Sequence, residues 1–174
     1  MKKLVFALAA LALAATAGAQ EARRPFGLGV AIVPLEGAGI SPPTIEVYAP
    51  IAVAPTLRVE PSLGIVTQDG PAGDLDTRDI TLGVGLFYVQ RIAAPVDLYM
   101  GGRLKLNFAH VDDGVNDDSG TDVILAAAMG AEHYLATHFS LGAEAQLGFH
   151  SDSDVSGDDS GLFTTGLAFL RFYF

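Results

Sequence analysis

The segment from His138 to His150, HFSLGAEAQLGFH, alternates strictly between two kinds of side chain. Its odd-numbered positions, from Phe139 to Phe149, are all apolar, whereas the even-numbered positions between them are small or polar. A period of two places successive side chains on opposite faces of an extended chain. The segment is therefore predicted to be a β-strand with one entirely apolar face.

The same alternation recurs along the chain and predicts eight strands in all. It is clear in 96–109 and 56–66, and weaker in 26–33, 44–51, 80–90, 123–135 and 162–174. Glycines are frequent on the more polar face, as expected where a narrow barrel must leave room for larger side chains opposite. Pro61 lies inside one of these strands, and because proline has no N–H to donate, a β-bulge is predicted there.

The amino terminus has the three parts of a secretory signal peptide. Met1 to Lys3 is basic, Leu4 to Ala15 is an unbroken apolar run, and Ala17-Gly18-Ala19 is a small-residue cleavage site. The apolar run is too short to be a membrane-spanning helix. We expect residues 1–19 to be removed on export, which leaves 20–174 as a single domain.

Composition narrows the classes of function. Without Lys2 and Lys3, 8 basic residues face 20 acidic ones, a formal charge of −12, which disfavours nucleic acid as a partner. There is no cysteine for a disulfide or a lipid anchor, and no motif predicts a cofactor. The chain is 50% hydrophobic with a mean hydropathy of +0.38, yet no segment after the leader approaches the roughly 18 apolar residues of a membrane helix. An apolar chain without a spanning helix favours a membrane barrel.

The connections between the predicted strands alternate in length. Those at 52–55, 91–95 and 136–137 are short, whereas those at 34–43, 67–79, 110–122 and 151–161 are long. The last three long connections hold thirteen of the fourteen aspartates. Short turns at one end and long loops at the other are typical of outer-membrane barrels.

The charges within the strands all belong to the less apolar face. If the apolar face meets lipid, no Asp, Glu, Lys or Arg lies on it, which avoids a cost of about 2–4 kcal/mol for a mid-bilayer Lys or Arg. An eight-stranded lumen is only wide enough for side chains, so we expect the inward charges to pair and to leave no open pore. This predicted lumen network consists of Glu46, Arg58, Glu60, Arg103, Lys105, Glu132, Glu144 and Arg171. A soluble lipocalin-like barrel, with the apolar face inside, is the alternative fold.

The ending GLAFLRFYF completes the pattern, with Leu170, Phe172 and Phe174 on one face of the last strand. The mature chain thereby resembles the small eight-stranded outer-membrane barrels of the OmpA/OmpX-like porin family. That resemblance implies an antiparallel up-and-down transmembrane barrel, present as a monomer, with both termini in the periplasm of a Gram-negative bacterium. It also implies lipid and lipopolysaccharide as neighbours, and Leu170, Phe172 and Phe174 as the signal for the barrel assembly machinery.

A structural or surface-interaction barrel without chemistry is the expected function, and three alternatives stay open. The first is a narrow porin. The second is a lipid A-modifying enzyme. His138 and Ser140 supply the residue types, but they lie at the periplasmic end and point inward, whereas His150 lies at the outer end with Ser151 and Asp152, but Ser151 is on the opposite strand face. The third is a divalent-cation and lipopolysaccharide-binding barrel, because the acidic loops are rich in the hard oxygen ligands that calcium prefers. The residues of this metal hypothesis are Asp112, Asp113, Asp117, Asp118, Asp152, Asp154 and Asp158.

Overall fold

A computed structural model describes residues 25–33, 44–68, 76–112, 117–156 and 160–174. The predicted leader and the predicted connection at 34–43 lie outside these ranges. Within them every regular element is a strand, and there is no helix long and apolar enough to cross a membrane.

Nine strand segments follow one another along the chain. They are β1 (Gly27–Val33), β2 (Thr44–Tyr48), β3 (Ile51–Ala54), β4 (Leu57–Gln68), β5 (Asp76–Ala93), β6 (Val96–Asp112), β7 (Asp117–Ala136), β8 (Phe139–Ser151) and β9 (Ser160–Tyr173). All neighbouring pairs are antiparallel. The sheet closes because β1 pairs with β9, while β2 pairs with both β1 and β4.

Segments β2 and β3 together form one stave of the barrel. The register that pairs Tyr48 with Ser62 continues unchanged to the pair Ile51 and Val59, so the two segments lie end to end along β4. Counting them as one gives eight staves, and the predicted eight-stranded antiparallel barrel is confirmed. The side of each strand then decides which residues face lipid and which face the lumen.

The bulge predicted at Pro61 is wrong. The pairing of β4 with β5 runs through Pro61 and Val84 without a shift. The proline affects the pairing with the stave of β2 and β3 instead. There the Pro61 carbonyl oxygen accepts a hydrogen bond from the Ala49 N–H (2.9 Å), but Pro61 has no N–H with which to donate a second one. Pro50, which follows Ala49, likewise accepts from the Gly27 N–H (3.0 Å) without returning a bond. Two one-sided pairs thus explain why the stave is interrupted at Ala49 and Pro50.

Every described residue of the predicted long loops at 67–79 and 110–122 belongs to a strand, whereas 69–75 and 113–116 lie outside the described residues. Strands β5, β6 and β7 extend beyond the apolar band as hairpin arms, so that six of the aspartates assigned to loops lie on strands. These are Asp76, Asp79, Asp112, Asp117, Asp118 and Asp122. We call this end of the barrel the loop end, and the end that holds Phe26 and Phe174 the terminal end.

The outward face of the barrel wall is apolar, as the alternation predicted. Outward side chains such as Leu125 and Met129 are 60% and 61% exposed, although they lie in the middle of strand β7. Within the predicted strand ranges, the described outward positions hold no Asp, Glu, Lys or Arg. A band of this kind needs lipid around it, and the soluble alternative, which placed the apolar face inside, is wrong.

Inward glycines make room for the rings that fill the lumen. A Cβ at Gly142 would collide with the ring of Phe169, and one at Gly130 would collide with the ring of Tyr99. Phe87 packs edge-on against Tyr99 at 5.1 Å between ring centroids, and both are buried. Each glycine is paired with its aromatic residue on the neighbouring strand, so the ring can lie across the glycine and fill the cross-section.

The last strand seals the terminal end. Gly27 pairs with Tyr173, and the Phe174 N–H donates to the Phe26 carbonyl oxygen at 2.9 Å. On the outside, the Phe174 ring stacks on Phe26 (5.7 Å) and meets Phe172 edge-on (5.3 Å). An aromatic cluster at the end of the apolar band matches the interfacial girdle of membrane barrels.

Candidate functional site: the charged lumen and its loop end

All eight side chains of the predicted lumen network lie on the inward face and are buried. Each is at most 6% exposed. They come from six staves, and their ion pairs join different strands except for Arg58 and Glu60, which both lie on β4. A chain of ion pairs results, centred on two glutamates that are fully shielded from solvent, Glu60 and Glu132.

Glu132 accepts from four donors. They are Arg58 Nη1 (2.7 Å), Arg171 Nη1 (2.8 Å), the Ser140 hydroxyl (2.6 Å) and the Tyr173 hydroxyl (2.6 Å). A carboxylate oxygen has room for two such bonds, so the acceptor capacity of Glu132 is filled. Burial of this charge is compensated on every side.

Glu60 connects the ion pairs near the terminal end with those in the middle of the lumen. Its carboxylate lies 2.7 Å from Arg58 Nε, 2.7 Å from Arg171 Nη2 and 2.9 Å from Arg103 Nη2. Arg103 then continues to Glu144, with Nε at 2.6 Å and Nη2 at 2.7 Å from the two carboxylate oxygens, a bidentate pair. Three arginines are therefore shared among three glutamates.

The fourth base serves a separate pair nearer the loop end. Lys105 Nζ donates to Glu46, whose other oxygen accepts from the Tyr48 hydroxyl at 2.6 Å. The arginines also lie over aromatic rings, with the Arg171 guanidinium 4.0 Å from the centroid of Phe169 and that of Arg58 4.5 Å from Tyr99. Cation–π contacts of this length add to the ion pairs in a site shielded from solvent.

Two buried aspartates belong to the lumen but were absent from the predicted network. Asp97 is fully buried at the terminal end, 3.2 Å from Arg91 Nε and 3.3 Å from the Tyr134 hydroxyl. Its odd position in β6 puts it on the same face as Arg103, so parity alone was a sufficient signal. Asp122 was assigned to a loop, and only the extension of β7 brings it onto the inward face.

Asp122 holds the segment 151–156 over the mouth of the lumen. One carboxylate oxygen accepts from the backbone N–H and the hydroxyl of Ser153, both at 2.8 Å. The other accepts from the Ser156 hydroxyl (2.8 Å) and from Asn107 Nδ2 (3.0 Å). Asn107 Nδ2 also donates to Asp79 at 3.1 Å. The loop end of the lumen is thus capped by a polar latch made of Asp122, Ser153 and Ser156.

The latch bears on the metal hypothesis. In the acidic segment 151–156, the hydroxyls of Ser153 and Ser156 donate to Asp122. Asp152 bonds His150 instead. Asp113 and Asp158 lie outside the described residues, and among those described no three His, Asp or Glu side chains gather as a metal ion requires. The other residues of the hypothesis, Asp112, Asp117, Asp118 and Asp154, are on the rim of the loop end.

The histidines and serines of the enzyme alternative are engaged elsewhere. The Ser140 hydroxyl donates to Glu132, and His138 Nδ1 lies 2.7 Å from the Tyr173 carbonyl oxygen. His150 Nδ1 is 3.0 Å from Asp152. His110 Nδ1 is near both Ser119 Oγ (3.3 Å) and Asp117 (3.4 Å). In a catalytic triad, one ring nitrogen of the histidine bonds the serine and the other bonds the carboxylate. At His110 the same nitrogen, Nδ1, lies near both groups, so the geometry of a triad is not formed there.

Comparison with solved structures places the fold among small outer-membrane barrels. Neisserial surface protein A (NspA) matches with a TM-score of 0.61 and 20% identity, over 86% of this chain and 96% of that one. The attachment invasion locus protein Ail of Yersinia pestis, solved with the heparin analogue sucrose octasulfate, matches with a TM-score of 0.57 and 18% identity, over 84% and 96%. A major outer membrane protein from Thermus thermophilus gives 0.52 and 14%, over 84% and 98%.

The sequence itself leads to the same group. No curated protein matches the chain closely enough to count as a relative. The family model described as the outer membrane protein beta-barrel domain, however, matches residues 4–169, which is nearly the whole chain. The resemblance stated from the sequence is confirmed, and the chain belongs to the outer membrane protein β-barrel family.

Proposed function

We propose that this protein is a non-catalytic structural and surface barrel of the outer membrane, whose lumen carries no diffusion pathway. The observation that supports this function is the continuous filling of the lumen. Asp97 and Glu132 occupy its terminal end, Phe87, Tyr99 and Phe169 its middle, and the polar latch its loop end. The lumen of an eight-stranded barrel is only wide enough for the side chains that fill it.

We further propose that both termini face the periplasm and that the acidic loop end faces outward from the cell. The uneven length of the connections supports this orientation, because β5, β6 and β7 extend past the apolar band only at the loop end. Outer-membrane lipids then surround the apolar wall. The surface function would be carried by the hairpin arms and by the segment 151–156.

Planar-bilayer recording tests the closed lumen. We expect the purified, refolded barrel to give no reproducible single-channel steps, because no continuous water-filled path passes the ion pairs of Glu60 and Glu132. A variant with Arg103→Ala and Phe87→Ala, which removes two of the largest groups from the middle of the lumen, is the positive control for a widened path. Stable steps of nanosiemens size from the unmodified protein would exclude the proposal.

The carboxy-terminal strand supports a proposal about assembly. Leu170, Phe172 and Phe174 all face outward and are 50%, 47% and 52% exposed, so they form a continuous apolar edge at the terminal end. We infer that the barrel assembly machinery binds this edge. Phe174→Ser and Phe172→Ser are expected to lower several-fold the amount of heat-modifiable barrel recovered from outer membranes.

Phe149→Ser is the matched control for that experiment. Phe149 is also a lipid-facing phenylalanine, 46% exposed, but it lies on β8 near the loop end. The substitution removes a phenylalanine ring of the same kind from a strand that is not part of the proposed binding edge. An equal loss from Phe149→Ser would show that lost lipid-facing surface, and not the terminal position, limits assembly.

A further inference from the structure

The ladder between β7 and β8 stops short of the loop end. It ends at the pair Val123 and Ser151, although β7 begins six residues earlier, at Asp117. Those six residues are paired with β6 alone. Beyond Ser151 the chain leaves the sheet and turns over the mouth of the lumen, where Asp122 holds it in a position that we call the cap. In the described part of the chain, one edge of β7 is thus left without a neighbouring strand.

This free edge presents backbone groups that are available for pairing. The Tyr134 N–H donates to the carbonyl oxygen of Pro95, the residue before β6. Because the register of β6 and β7 is unbroken, the even-numbered residues of β7 direct their N–H and C=O groups to β6, and the odd-numbered residues direct theirs to the opposite side. The backbone groups of Ser119 and Thr121 therefore point away from β6, into the position that a longer β8 would occupy.

Continuation of β8 in the same register is opposed by charge. It would place Ser153 opposite Thr121, and Asp152 opposite Asp122. Both aspartates would face the lumen with their Cβ atoms about 5 Å apart, and like charges directly opposite each other repel. In the structure Asp122 accepts from the N–H and the hydroxyl of Ser153 instead, while Asp152 bonds to His150. The charge of Asp122 thus disfavours a longer β8 and stabilises the cap.

The cap also depends on Gly120, which faces the lumen beneath it. A Cβ at this glycine would lie 2.0 Å from Ser153 Oγ and 2.6 Å from Ser153 Cβ, so the cap packs where a side chain would otherwise be. In a longer β8 the Ser153 side chain would point outward, and a Cβ at position 120 would no longer meet it.

The chain is long enough for both positions. Pairing with Thr121 carries Ser153 about 7 Å beyond Ser151 along the strand direction. Ser153 is seven residues before Ser160, where β9 begins, and seven residues reach up to about 23 Å. The start of β9 therefore does not prevent β8 from growing by two residues.

We propose that the segment 151–156 has two alternative positions, the cap and an extension of β8 along the free edge of β7, and that the charge of Asp122 selects the cap. In the extension, Thr121 and Ser153 exchange backbone hydrogen bonds, so the edge of β7 is covered and the mouth of the lumen is uncovered. The ion pairs deeper in the lumen stay in place, and the barrel remains closed. The loop end thereby presents either a free strand edge beside a capped mouth or a paired edge beside an open mouth.

The charge of Asp122 responds to pH. Burial alone would raise its pKa, but the hydrogen bonds from Ser153, Asn107 and Ser156 outweigh burial and hold the pKa below its ordinary value. The cap is therefore complete at neutral pH and is lost as the pH falls through this lowered pKa. The other charged or titratable side chains on the surrounding elements are Asp79 on β5, which Asn107 joins to Asp122, Lys105 on β6, which is paired with Glu46, His150 at the end of β8, and Asp152 and Asp154 in the segment itself.

Nuclear magnetic resonance of the folded barrel in detergent micelles distinguishes the two positions. The extension protects the Thr121 amide from hydrogen exchange and brings the amide protons of Thr121 and Ser153 close enough for a nuclear Overhauser effect. For the parent at neutral pH we expect an unprotected Thr121 amide and no such contact. For Asp122→Ala at the same pH we expect the contact, and exchange at Thr121 that is about tenfold slower, as one added backbone hydrogen bond allows. The parent should show the same change at about pH 2.5, below the ordinary pKa of aspartate.

Two further variants separate the charge of Asp122 from other causes, and heat-modifiable migration on gels checks that each is a folded barrel. Asp118→Ala removes a carboxylate from the same face of β7, beyond the cap, and should behave as the parent does at neutral pH. Gly120→Ala keeps every charge but removes the room for Ser153, so the change should begin at a higher pH than in the parent. A Thr121 amide that stays unprotected in Asp122→Ala would overturn the proposal, as would equal protection in Asp118→Ala or an unchanged pH dependence in Gly120→Ala.

Discussion

Replacing Glu132 with alanine is expected to lower the free energy of unfolding of the barrel by about 3–5 kcal/mol. The carboxylate is fully buried and accepts from two arginines, a serine and a tyrosine. Its removal leaves Arg58 and Arg171, which are 5% and 1% exposed, with one shared carboxylate partner, Glu60. The cost comes mainly from these uncompensated charges and less from the lost bonds themselves.

Urea unfolding in lipid vesicles, followed by heat-modifiable migration on gels, measures this change. Asp118→Ala removes an exposed carboxylate from the loop end of the same strand, and as a control it should stay within about 0.5 kcal/mol of the parent. Glu132→Gln keeps acceptor and shape but loses the charge, so it should fall between the two. A loss under about 1 kcal/mol for Glu132→Ala would mean that water reaches the arginines.

The second large effect is expected on the other face of the wall. Leu104 lies at the centre of β6, points outward and is 44% exposed to what we infer is lipid. Leu104→Arg should destabilise the barrel by about 2–4 kcal/mol, because it places a charge near the bilayer midplane. The neighbouring residue Arg103 already places a guanidinium at almost the same depth, but it faces the lumen, where Glu144 neutralises its charge.

Ser151→Arg is the control, since Ser151 is an exposed residue at the loop-end limit of β8. There the same substitution should cost about 0–1 kcal/mol. Both variants are compared by urea unfolding in vesicles and again in detergent micelles, which deform more easily around a charge. If Leu104→Arg were no more destabilising than Ser151→Arg in vesicles, the apolar band would not be the part that spans the bilayer.

The contrast between Leu104 and Arg103 explains what sequence alone predicts well. Period two is set by backbone geometry, so each residue's face follows from parity whatever the rest of the barrel does. The inward positions of the eight network charges follow in this way, as does that of Asp97. Beyond the apolar band both faces of β5, β6 and β7 meet water, so apolar and polar residues no longer alternate along the sequence. For this reason the strand ends in that region were predicted as loops.

Which acid meets which base was not predictable. Arg103 and Glu144 are 41 residues apart, and Ser153 is 31 residues from Asp122. Such pairs depend on the stagger between strands around the barrel, which no local pattern encodes. The role of Pro61 was missed for a related reason, because its lost hydrogen bond concerns the neighbour on one side only and leaves the other ladder intact.

The interrupted stave makes the wall mechanically uneven. Strands β5 to β8 are joined by long ladders and form a stiff curved plate, whereas the stave of β2 and β3 loses a return bond to each neighbour at Pro61 and Pro50. When lateral pressure in the membrane changes, bending concentrates where the fewest bonds resist it. We therefore expect this stave, which is paired with the closing strand β1, to bend before the rest of the wall does.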